Sequence, residues 1–211
     1  MKRTLMLGFV GLLLLGVAGL VPVLSQDMGG SDEAEDACAG EAETTMTGSQ
    51  DPHGILKKLN GDWSLDFTIW MEPGADPLKM KFDSNTKWAL DEQFLTSTYE
   101  MKEGPFPHKG IEYYSYNEAT KEYEAIRMTS MSGSMIIFHG KYDEKTKSLE
   151  MKAEYKMVWG GQTFDVKGRN VYTFESDDKY TFVGYSEYVD VEGMDGELKE
   201  VEITATRKKS K

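Results

Sequence analysis

The sequence predicts an all-β protein: about ten antiparallel strands in up-and-down order, closed into a barrel, with one short helix at the N-terminal entrance. Three observations carry this. Apolar and polar residues alternate in runs of strand length from Trp63 to Arg207. One hairpin connection nearly repeats 26 residues later, which fixes two strands per repeat. No second helical pattern interrupts the runs. Ten such strands in an open sheet would leave two exposed edges, and closure removes both.

The helix is read over 51–59. Asp51 caps it, Pro52 takes the first helical position, and Gly61 ends it. Trp63, Leu65, Phe67, Ile69 and Met71 then share one face of the first strand, against Ser64, Asp66 and Thr68. Next, Leu78 to Leu90 alternates with Lys79, Lys81, Asp83, Asn85 and Lys87 opposite. The remaining runs are 94–101, 111–116, 122–131, 134–142, 148–159, 162–174, 179–189 and 197–207. The run from 148 is the cleanest, with Leu149, Met151, Ala153, Tyr155, Met157 and Trp159 against Glu150, Lys152, Glu154 and Lys156. The repeated connection is Tyr-[Asn/Asp]-Glu-x-Thr-Lys-x-[Tyr/Leu]-Glu, starting at Tyr116 and at Tyr142. Asn117 and Asp143 begin its turns, where a short side chain hydrogen-bonds its own backbone.

Three segments divide the chain. Lys2 and Arg3 precede the apolar run from Leu5 to Leu24, and residues 1–25 read as a signal peptide. Left uncleaved, the run would be a membrane anchor. Either way the chain is expected to be exported, to a periplasm or the extracellular space. Residues 26–50 carry seven carboxylates and no Lys or Arg, and read as a disordered acidic spacer. Residues 51–211 form the barrel domain. Loss of residues 1–25 moves the formal charge from −12 to −14, of which the spacer and the domain carry −7 each. Such a domain repels phosphate backbones, so nucleic acid is excluded as an expected partner. Cys38, the one cysteine, lies in the spacer without an internal disulfide partner. Nothing in the sequence fixes the oligomeric state.

The short helix closed by Gly61-Asp62-Trp63 and followed by a long alternating strand resembles the entry to a lipocalin-like (calycin) barrel. That resemblance implies that Trp63 plugs one end and that Arg207, at the end of the last run, packs across its ring. More broadly, residues 51–208 resemble a bacterial family named as a domain of unknown function, DUF1579. The features are His53–Leu59 with Gly61-x-Trp63, Trp70-Met71-x-Pro73-Gly74-Ala75, Gly110-Ile111-x-x-Tyr114-x-Tyr116-Asn117, Lys121-x-Tyr123, Ser130-Met131-Ser132-Gly133, Gly140-x-Tyr142-Asp143, and Glu202-Ile203-Thr204-Ala205-Thr206-Arg207. The resemblance implies a lipocalin-like barrel and brings no established activity. In the family pattern Trp and Asp often stand where this chain has Arg127 and Thr129.

Three function classes compete on the residues. The preferred one is an exported barrel that binds a small apolar or amphiphilic molecule without covalent chemistry or a cofactor. Methionine adapts to soft guests, and Met80, Phe82, Met135, Met151, Met157 and Phe164 are expected to line the lumen. Tyr113, Ser115, Tyr155, Asn170 and Tyr180 are expected to orient a guest. The second reading is a haem protein or enzyme using His139 or Arg127, since His139 shares a face with Met135 and Ile137. A lone barrel histidine holds haem in nitrobindin-like relatives of this architecture. The third is a filled-core interaction module of the cell envelope. No metal spacing joins His53, His108 and His139, and no nucleophile–base signature singles out catalytic residues.

Overall fold

A computed structural model describes residues 51–71, 74–101, 107–159 and 161–209. The expected signal peptide, spacer and Cys38 lie outside the described residues. Among the described residues one helix, α1 (Pro52–Leu59), precedes ten strands: β1 (Gly61–Ile69), β2 (Leu78–Ala89), β3 (Phe94–Met101), β4 (His108–Asn117), β5 (Glu122–Thr129), β6 (Ser132–Asp143), β7 (Ser148–Trp159), β8 (Gln162–Ser176), β9 (Lys179–Tyr188) and β10 (Glu197–Arg207). Each strand pairs antiparallel with the next, and β10 returns to β1, so the sheet closes.

The local chemistry explains the helix and its stop. The Asp51 side chain accepts the His53 N–H at 3.0 Å, and Pro52 needs no donor partner in the first turn. Lys57 and Lys58 stand at the C-terminal end, where the helix dipole favours cations. Ile55, Leu56 and Leu59 are buried and turn α1 into a lid over one end of the barrel. Beneath it lie Leu95, Tyr114, Tyr123, Leu149 and Phe174, all in one apolar cluster.

At the same end the first and last strands are tied together. Arg207 pairs with Trp63 in the β1–β10 ladder, and its guanidinium lies 4.3 Å from the indole ring centre. The guanidinium also donates to the carbonyls of Asn60 (2.5 Å) and Asp177 (2.7 Å), and the Trp63 indole N–H donates to the Leu59 carbonyl at 2.9 Å. Gly61 is required here. Its φ is +134°, and a Cβ would sit 2.2 Å from a guanidinium nitrogen of Arg207.

The ladder between β6 and β7 is shorter than its neighbours. It runs from His139 opposite Lys152 to Asp143 opposite Ser148, whereas β7 pairs with β8 from Ser148 to Trp159. The two strands therefore join at the helix-capped end only.

Several expected orientations are corrected. Tyr113 and Met135 point outward, 39% and 68% exposed, and so does His139, whose side chain is half in solvent. The reason is parity: successive side chains alternate, so a strand that buries Tyr114 must expose Tyr113, and one that buries Phe138 must expose Ile137 and His139. Met71 lies beyond the end of β1 and is exposed as well.

Candidate functional site

Above the helix-capped cluster the lumen holds a cavity of about 250 Å³. Its two walls differ in chemistry. β1, β2 and β10 contribute Leu65, Phe67, Ile69, Phe82, Val201 and Ile203, a largely apolar wall interrupted by Ser84, Thr86 and Glu200. The facing wall carries Tyr99, Glu112, Tyr114, Arg127, Thr129 and Tyr172. Strand parity builds this arrangement. β4 turns Gly110, Glu112 and Tyr114 inward, and β5 turns Tyr123, Ala125, Arg127 and Thr129 inward. Register then sets Glu112 opposite Arg127.

Arg127 and Glu112 form the centre of the polar wall. The guanidinium Nε donates to the carboxylate at 2.5 Å, with side chains only 23% and 13% exposed. The same guanidinium lies 5.2 Å from the Phe138 ring centre and 5.5 Å from that of Phe182. An aromatic sandwich of this kind holds a planar cation in place by cation–π attraction. The Tyr114 hydroxyl donates to the other oxygen of Glu112 and meets the Tyr172 hydroxyl at 3.1 Å. Behind them, the Thr86 hydroxyl donates to Ser97 at 2.9 Å. Among the described residues no buried side-chain nitrogen or oxygen is left without a hydrogen-bond partner, as a low-dielectric interior demands.

These surroundings shift the ionisable groups. Burial pushes Tyr99 up to about 12, helped by the charge of Glu112. Tyr114 and Tyr172 are pushed up as well, again by burial first and by Glu112 second. Burial, the largest single influence, would lower Arg127, but the Glu112 carboxylate together with the Tyr172, Tyr114 and Tyr99 phenols outweighs it and the guanidinium is held charged. The interior thus keeps one ion pair and a set of neutral phenols. Gly110 makes room for one of them, since a Cβ there would stand 2.3 Å from the Tyr99 ring.

A second polar group approaches the cavity from β10. The ladder between β9 and β10 shifts register between Lys199 and Val201, and Glu200 turns into the lumen beside Val201. Ser186 donates to one Glu200 oxygen at 2.7 Å and Tyr188 to the other at 2.5 Å. Tyr155 hydrogen-bonds Ser186, which extends the network to β7. Burial and the neighbouring Glu200 push the Tyr188 phenol upward.

Among the residues expected to line a lumen, Phe82 and Tyr180 border the cavity. Met80 packs beside Phe82, Met151 is fully buried in the lower cluster, and Asn170 is buried next to Gly184. Tyr155 packs on the main cluster, Phe164 meets Tyr188 edge-on at 6.1 Å, and Met157 is half-buried on the same face of β7. Ser115 is on the outer face of β4. His139 stands 3.8 Å from Glu124 on the outside of the wall, so its imidazole does not reach a guest in the lumen. Arg127, named for the enzymatic alternative, does border the cavity. Glu112, Tyr99, Tyr114, Tyr172 and Glu200 were not anticipated. Parity carried from Tyr123 and Ala125 along β5 would have turned Arg127 inward and drawn attention to its cross-strand partner.

The chain belongs to the family described as protein of unknown function (DUF1579), whose profile matches residues 48–207. Among solved structures, that of Rv2717c from M. tuberculosis is similar in fold, with a TM-score of 0.56 and 16% sequence identity. The match covers 76% of this chain and 100% of that one. No curated protein matches.

Proposed function

We propose that the barrel binds a small amphiphilic molecule in its lumen, without covalent chemistry. One observation carries this reading: a cavity of about 250 Å³ that sets an apolar wall against a wall of fixed hydrogen-bonding groups. Clefts for drug-sized ligands span about 300–1,000 Å³, so the guest here is smaller. An engineered apolar cavity of about 150 Å³ holds benzene, which puts this guest at about ten non-hydrogen atoms. Its apolar body rests on Leu65, Phe67, Phe82 and Ile203, and its polar end meets the groups of β4, β5 and β10. Burying that body gains about 25 cal/mol per Å² of apolar surface. The basic-then-apolar start of the chain at residues 2–24 supports export, which would place the binder outside the cytoplasm.

An environment-sensitive fluorophore no larger than naphthalene, a dye of about ten non-hydrogen atoms, tests the reading. It is expected to bind with one-to-one stoichiometry and to be displaced by short-chain amphiphiles. Ser84 borders the cavity and is buried, so Ser84→Leu fills the space from within. That variant should keep or gain thermal stability and lose the dye. Dye binding at wild-type strength in folded Ser84→Leu would refute the lumen as the site.

A further inference from the structure

We infer that the guest is a cation, a small organic amine or ammonium. The inference rests on the lumen being the binding site and adds the charge of what enters it. The walls carry two carboxylates, Glu112 and Glu200, one guanidinium, Arg127, and the imidazole of His108. The guanidinium is already committed to Glu112 at 2.5 Å. Glu200 has only neutral hydroxyls as side-chain partners among the described residues, from Ser186 and Tyr188. The lysine beside it in sequence, Lys199, pairs instead with Glu202 and stands 4.7 Å from the Trp70 ring centre.

A carboxylate half-buried in an aromatic cavity and opposed only by hydroxyl dipoles gains more from a cation than from a neutral group. The ring faces help, since Phe67, Phe82, Tyr99, Tyr180 and Phe182 also border the space and attract positive charge through their quadrupoles. An anionic guest would meet Glu200 unopposed and would have to displace Glu112 from Arg127. The domain's own charge of −7 over residues 51–211 draws cations toward the barrel from solution.

Calorimetric titration of the full chain with hexylamine, hexanol and hexanoate decides the matter, because the three share one apolar body. Hexylamine is expected to bind about tenfold tighter than hexanol or better, and hexanoate weakest of all. Glu200→Gln removes the charge, keeps an acceptor oxygen for one of Ser186 and Tyr188 and presents an N–H to the other hydroxyl; it should bring hexylamine down to the level of hexanol. Equal binding of hexylamine and hexanol, or a preference for hexanoate, would overturn the cationic guest and leave lumen binding intact. Binding of none of the three would overturn both. The wild-type ranking is decisive by itself should the variant not fold.

Discussion

Two arcs of the same barrel obey the strand period in opposite senses. From β7 through β10 the inward face is mostly apolar or aromatic, with Leu149, Met151, Val166, Phe174 and Phe182 buried while Lys152, Glu154 and Lys167 face solvent. From β4 through β6 the interior receives Glu112, Arg127 and Thr129, and the exterior receives Ile111, Tyr113, Met135 and Ile137. Both arcs alternate, so both are sound strands. They differ in what the interior is asked to do. The first arc fills space beside the helix-capped end, and the second holds charge at fixed positions in the lumen. Most of the packing thus falls to the first arc and the buried ion pair to the second, with Glu200 of β10 the charged exception on the apolar side.

The sharpest way to break this division is to remove one charge from the polar arc. Glu112→Leu leaves Arg127 enclosed without its counter-ion and is expected to cost about 3–5 kcal/mol in denaturant unfolding. The double variant Glu112→Leu with Arg127→Met should recover most of that loss, since an apolar pair of similar volume is often neutral or better. Leu149→Ala in the apolar arc should cost about 2–5 kcal/mol with no partner able to rescue it. A double variant as unstable as Glu112→Leu alone would show that the polar arc holds the fold as well as the site.

Alkaline titration gives a smaller effect. Tyr99 is raised from 10.0 to about 12 in the folded protein, by burial first and Glu112 second. Its folded value lies above its unfolded one, so the folded state binds the proton more tightly. The stability this contributes is complete below about pH 10 and is lost as pH rises through about 12. The denaturation midpoint should therefore fall across that window, and fall less in Tyr99→Phe. In Glu112→Gln the fall should be shallower, because one of its causes has been removed.

The smallest effect belongs to the outer face of the polar arc. Met135→Ser and Ile137→Thr alter side chains that are 68% and 52% exposed. Each should change unfolding free energy by no more than about 0.5 kcal/mol. A larger loss in thermal melting would mean that this apolar exterior is covered in solution.

The same inversion explains what was legible in the sequence. Strand number and order followed from the period and the repeated hairpin, closure followed from the two edges an open sheet would expose, and β3, β7 and β10 begin and end where the alternation does. Orientation followed only where the apolar face was the inner one. In β6 both faces are apolar, with Ile136 and Phe138 against Met135 and Ile137, so alternation alone does not say which set is inward, and His139 goes with the outer one. In β4 the apolar Ile111 and Tyr113 lie outside, which misplaced Tyr113 and hid Glu112. Glu200 was hidden for another reason. A register shift turns it into the lumen beside Val201, and simple alternation does not anticipate that.

The seam between β1 and β10 bears on how the chain reaches this state. The bond from Arg207 to the Asn60 carbonyl joins residues 147 apart in sequence, and the ladder beside it runs from Trp63 opposite Arg207 to Ile69 opposite Val201. Every other ladder joins neighbours in the chain and can form as a hairpin. This one must wait for the last strand to be synthesised, and until then β1 presents an open edge. Long-range pairing of this kind slows folding and prolongs the exposure of such edges to other chains. The charged residues that alternate along β1 and β10, Asp62 and Asp66 facing the side of Glu202, supply repulsion that discourages those edges from pairing with other copies while closure is pending.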